Sequence, residues 1–113
     1  MIDFVNLTPH IVNVLNADGQ NVTFAPSGTV ARVSSTRRVA DKVTGINVYE
    51  TVMGEPDALV VERDTFYIVS RLFATAFLAK PENAKYRDYV LVPGELKRDD
   101  AGVVIGCDGL SRI

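Results

Sequence analysis

Ser70 and Arg71 stand between an apolar run, Phe66-Tyr-Ile-Val69, and a segment with helical spacing of apolar residues. A serine there caps a helix, and the N–H groups that open a helix attract an anion, with an arginine fork to pair its charge. Pro26-Ser27-Gly28, followed by Arg32, is a second polar turn whose Ser27, Gly28 and Arg32 suit an anion nest. Each also has a plain structural reading, as a helix cap, a turn and arginines on wet faces. His10 and Cys107 are the only histidine and cysteine. A thiol nucleophile with an imidazole base is the one dyad they allow, whereas a buried cysteine and a turn histidine explain them equally well. No Gly-x-Gly-x-x-Gly or Walker-type loop, metal-ligand spacing or distinctive carboxylate pair occurs, so the residues name no catalytic group, cofactor or metal. Phe66, Tyr67, Tyr86 and Tyr89 are candidates for stacking a base, or for core.

The elements that must position these residues follow from pattern. Ile11–Leu15 and Asn21–Phe24 flank Asn16-Ala-Asp-Gly-Gln20, a hairpin signal. Thr29–Arg38 and Ile46–Met53 alternate apolar and polar residues around Gly45, as a partly exposed antiparallel pair does. Phe66–Val69 and Tyr89–Val92 are apolar on both faces, and the helix expected over 71–80, capped by Ser70 and ended near Pro81, makes them a parallel pair. Val103–Cys107, after the Arg98–Gly102 turn, is expected to form a hairpin with the Tyr89 strand. The expectation is one α+β domain over 1–113, with a mixed, mainly antiparallel sheet of about seven strands and one covering helix. One helix cannot cover seven strands, so the open face should curl over or be buried in a homo-oligomer.

Composition narrows the classes of function. The 113 residues are 47% hydrophobic and 23% charged, a globular balance. A formal net charge of -2 gives no basic field for duplex nucleic acid, although eight of the twelve basic residues are arginine. No apolar run is long enough for a membrane span, and Met1-Ile-Asp-Phe-Val does not open like a signal peptide. With a single cysteine, the chain is expected to be cytoplasmic.

Asn6-Leu-Thr-Pro-His10, Pro26-Ser-Gly28, Ala31-Arg32-Val33, Asp64-Thr65 with Tyr67-Ile-Val-Ser70, Val92-Pro93, Arg98-Asp99, Gly102, Ile105-Gly-Cys107 and Gly109-Leu110 form an ordered set. In it the chain resembles a family of small proteins of bacteriophages and prophages with no established activity. The resemblance implies a setting, expression in a bacterial host cell, and no residue roles. In that setting the reading these residues favour is a non-enzymatic protein that sequesters an anionic, nucleotide-derived immune signal and so inhibits anti-phage defence. A structural or interaction module, such as a minor virion protein, and an unfamiliar nucleotide hydrolase are the alternatives.

Overall fold

A computed structural model describes residues 2–113. Strand β6 (Thr65–Ile68) is the centre of a four-stranded sheet, between β1 (Asp3–Asn6) and β7 (Val90–Pro93), both parallel to it. β10 (Leu110–Ser111) adds to β7 antiparallel. The chain passes from β6 to β7 through helix α1 (Arg71–Leu78) and a 3-10 helix, Pro81–Tyr86. α1 covers one face of this sheet: Phe73, Ala74 and Phe77 bury against Tyr67, Val69, Val90 and Val92. Apolar residues three and four apart on the helix make that stripe.

A second sheet, ordered β3-β2-β9-β8, joins β2 (Val12–Leu15), β3 (Asn21–Phe24), β8 (Leu96–Arg98) and β9 (Val104–Cys107). Its Val12, Val14 and Cys107 pack with Ile68, which is fully buried. Tyr67 and Val69 therefore point to the helix while Ile68 points to the second sheet. Cover on both faces is why Phe66–Val69 lacks polar alternation.

The expected single sheet of about seven strands is instead ten strands in three sheets, and the helix ends at Leu78 with a 3-10 helix after it. The second sheet covers the open face of the β6 sheet at Ile68, while Phe4 and Tyr89 remain exposed there. β9 pairs with β8 and with β2, not with the Tyr89 strand. Pro93-Gly94 turns the chain so that Leu96–Arg98 becomes the nearer hairpin partner. The mixed α+β character holds, with parallel and antiparallel pairs in both four-stranded sheets.

The third sheet is a two-stranded arm, β4 (Val33–Val43) and β5 (Ile46–Pro56), joined at Thr44-Gly45. Every residue from Ser34 to Glu55 is exposed. The Cα radius of gyration is 16.9 Å, against about 13 Å for a compact domain of this length. The arm accounts for the difference. At its base Lys80 pairs with Glu55, and the carboxylate's hydrogen bond raises the Lys80 ammonium above its ordinary 10.5.

Candidate functional site: a cleft at the ends of three parallel strands

Parallel strands present their carboxyl ends on one edge, where open α/β units take ligands. Here Asn6, Ile68 and Pro93 end β1, β6 and β7 on that edge. The segments that leave them, with β2, β8 and β9 opposite, enclose a cleft of about 630 Å³. His10, the Ser70-Arg71 pair and Cys107, from three distant parts of the chain, all line it.

The first wall is the loop Asn6-Leu-Thr-Pro-His10, and the buried Asn6 amide shapes it. Asn6 Nδ2 donates to the carbonyls of His10 (2.8 Å) and Phe24 (3.0 Å). Asn6 Oδ1 accepts from Thr8 N (2.9 Å) and Thr8 Oγ1 (2.7 Å). All four hydrogen-bonding positions of this amide are used. The loop is thereby tied to the end of β3, and the His10 side chain is left exposed at the cleft.

The second wall is the start of α1. Ser70 Oγ accepts from Phe73 N at 3.1 Å, and Ser70 O accepts from Ala74 N at 3.0 Å. The N–H groups of Arg71 and Leu72 are left as the open donors of the first turn, which holds no acidic residue. Arg71 is exposed and has no acidic partner within ion-pair distance among the described residues. Among the described residues it is the only Lys, Arg, Asp or Glu that lines the cleft. The remaining surface is largely apolar, with Ile11, Leu96, Val104 and Ile105 exposed around the mouth. A cationic end beside an apolar wall, without a carboxylate among the described residues, is chemically suited to an anion joined to a flat or apolar body.

The third wall comes from β9, where backbones approach closely. A Cβ added to Gly106 would lie 2.7 Å from the Asn13 carbonyl oxygen. The neighbouring Cys107 thiol, 2% exposed, donates to that same oxygen at 3.4 Å. Gly106→Ala must push β9 from β2, at about 1–3 kcal/mol. It is expected to raise the labelling rate of Cys107 by a thiol reagent about tenfold or more, since opening that site becomes cheaper by that amount. An unchanged rate would show that β2 and β9 tolerate the side chain. With its thiol turned to Asn13, Cys107 shares the cleft with His10 without a hydrogen bond to it.

The other expected residues fall outside the cleft. Arg32 lines a neighbouring depression of about 420 Å³ that shares Thr8, Pro9 and Ser70 with it. Glu55 and Asp57 line that depression too, and Asp57 Oδ2 accepts from Arg32 N at 2.9 Å. Two carboxylates make it a poorer place for an anion. Ser27 lies with Asp3 and Glu62 in a separate hollow. Its N–H donates to the Asn6 carbonyl at 3.0 Å and its hydroxyl to Thr29 O at 3.2 Å, so this turn offers no free nest. Gly28, at φ +96, supplies the left-handed turn residue.

Of the aromatic candidates, Tyr67 is buried, with its hydroxyl held by Val60 O and Glu62 N. Tyr86 stacks on Phe77 in the helix core. Phe66 and Tyr89 belong to a row of rings that runs Phe24, Phe4, Phe66, Tyr89, with centroids 5.2–5.5 Å apart. Sequence inspection missed Ile11, Leu96, Val104 and Ile105 as cleft residues; an exposed aliphatic carries no signal until its neighbours are known.

Among the described residues no group of three or more His, Cys, Asp or Glu is placed to hold a metal ion, and no helix is long and apolar enough to cross a membrane. Comparison of the chain with protein-family models, with curated proteins and with solved structures gives no match.

Proposed function

We propose that the protein is a non-enzymatic binder that captures an anionic, nucleotide-derived small molecule in the cleft beside Ser70 and Arg71. One observation carries this reading: among the described residues Arg71 is the only Lys, Arg, Asp or Glu of a largely apolar cleft at the open end of a helix. The phosphate of such a ligand would sit on the Arg71 amide and the Arg71 fork, with its base or sugar against Ile11, Leu96 and Ile105. In the phage or prophage setting implied by the motif resemblance, a cytosolic protein of this kind sequesters an immune signal and blunts host defence. His10, at the rim, is a further hydrogen-bond donor to the ligand.

The test is a thermal-shift screen over cyclic dinucleotides, ADP-ribose derivatives and simple nucleotides. A ligand at one hundred times Kd stabilises the folded state by about 2.7 kcal/mol, a rise of roughly 10 °C for a domain of this size. Arg71→Ala is expected to weaken binding ten- to a hundredfold, since a charge-assisted bond to phosphate is worth about 1.5–3 kcal/mol. The melting point without ligand should barely move, because Arg71 is exposed and without an ion-pair partner among the described residues. Arg32→Ala, in the neighbouring depression, should matter less. Chromatography of each ligand after incubation separates a binder from a hydrolase, which alone would turn it over. If no compound moves the wild-type melting point at millimolar concentration, the second reading stands. That reading, a structural or interaction module, is favoured by the bare arm β4–β5.

A further inference from the structure

The arm is a two-stranded ribbon of eleven residues a side, about 37 Å long. Isolated ribbons of this kind are marginal in water and gain stability when a face is covered. Every residue from Ser34 to Glu55 is exposed, and among the described residues only the base of the arm is held, where Glu55 pairs with Lys80 beside α1.

Its two faces differ in charge. Cross-strand partners share a face, so one face carries four rows from tip to base: Val43 with Ile46, Asp41 with Val48, Arg38 with Glu50, and Thr36 with Val52. A bulge between Val39 and Asp41 keeps Asp41 opposite Val48. The other face carries Arg37, with its guanidinium over the Tyr49 ring, and Lys42, with no acidic residue in its paired rows. Two copies meeting on that second face would repel.

We propose that the Ile46–Val48–Val52 face of the arm is the two-fold interface between two copies of this chain. A two-fold axis across the arm, between its second and third rows, lays β4 on β4 and β5 on β5 in reverse. Ile46 then meets Val52 of the second copy, Val43 meets Thr36, and Val48 meets the aliphatic stem of Glu50, whose carboxylate stays on Arg38 of its own copy. Asp41, which has no ion-pair partner among the described residues, meets Arg38 of the second copy. Each contact occurs twice, as a two-fold interface requires. Eight side chains a copy cover about 500 Å², roughly 1,000 Å² in all, at the lower edge of specific interfaces. The dimer is accordingly expected to dissociate in the micromolar range, on the order of 1–10 µM.

Sedimentation equilibrium from about 1 to 100 µM tests this. The wild type should pass from monomer to dimer across that range. Val48→Asp should weaken the dimer at least thirtyfold and Asp41→Arg about tenfold, while Lys42→Glu, on the opposite face, should leave it as tight as the wild type. Val48→Asp also sets a carboxylate opposite Asp41 of its own copy, so hydrogen exchange of the arm's ladder amides in each monomeric variant separates lost pairing from a frayed ribbon; the proposal requires those amides to stay protected. A wild type that stays monomeric at 100 µM overturns the proposal. So does any oligomer that survives both Val48→Asp and Asp41→Arg, or one that Lys42→Glu dissociates as readily.

Discussion

Asn6→Asp is expected to lower stability by about 4 kcal/mol, because it removes the two donors that hold His10 O and Phe24 O and buries a carboxylate in their place. Asn6 is 2% exposed, so water cannot replace the lost bonds. The carboxylate would face two carbonyl oxygens and keep only its bonds from Thr8. For a domain of this length the loss corresponds to a melting point roughly 15 °C lower. Urea unfolding should show a lower midpoint with an unchanged slope, the sign of a changed free energy rather than a changed unfolded state. A loss below about 1 kcal/mol would mean that the loop holds its shape without the amide. Pro9 and His10 line the cleft, so the variant should lose ligand shifts even where it remains folded.

The second large effect belongs to Phe73. Its side chain is fully buried and stacks on Phe77 with centroids 5.4 Å apart, and Phe77 in turn stacks on Tyr86. Phe73→Ala leaves a cavity that these neighbours fill only in part, at about 3–5 kcal/mol. A domain with roughly 5–15 kcal/mol in total would lose much of its margin. Leu72, one residue earlier, is 52% exposed, and Leu72→Ala should cost under about 1 kcal/mol. Chemical denaturation of the two variants side by side is the check. Equal costs would mean that α1 does not present the face described. The same phenylalanine donates its N–H to Ser70, so the packing of α1 and the opening of its first turn depend on one residue.

Which parts of this architecture could be read in the sequence follows from how local each determinant is. The hairpin β2–β3 is written in Asn16-Ala-Asp-Gly-Gln20, where Asn16 Oδ1 accepts from Asp18 N and Gln20 N. The helix is written in Ser70 and in apolar spacing, and its capping bond is the expected one. The parallel relation of β6 and β7 follows from the helix between them. By contrast β1, β8 and β10 are two to four residues long and have no period to detect. Their pairing is decided by distant partners. The division of strands between two stacked sheets depends on which neighbour covers Ile68, and nothing near Ile68 states that. The cleft was legible in Ser70, Arg71 and His10, each beside the end of an element. Arg32 and Ser27 looked equivalent as residues, yet the carboxylates of Glu55, Asp57, Asp3 and Glu62 that surround them come from remote segments.

The contact that seals the third wall of the cleft, Cys107 against Asn13, joins residues 94 positions apart. β1 likewise waits for β6, since Phe4 pairs beside Phe66. Chains whose sheets close over such spans fold slowly, on the millisecond-to-second scale, because the entropy of a long loop is lost before any contact repays it. During synthesis β4, β5 and α1 can form as they emerge, while β2 and β3 hold one edge of an unfinished sheet. Only when residues 104–107 leave the ribosome can β9 settle beside β2. The cleft therefore comes into being late, and a chain interrupted between α1 and β9 carries the arm and the helix but lacks the third wall.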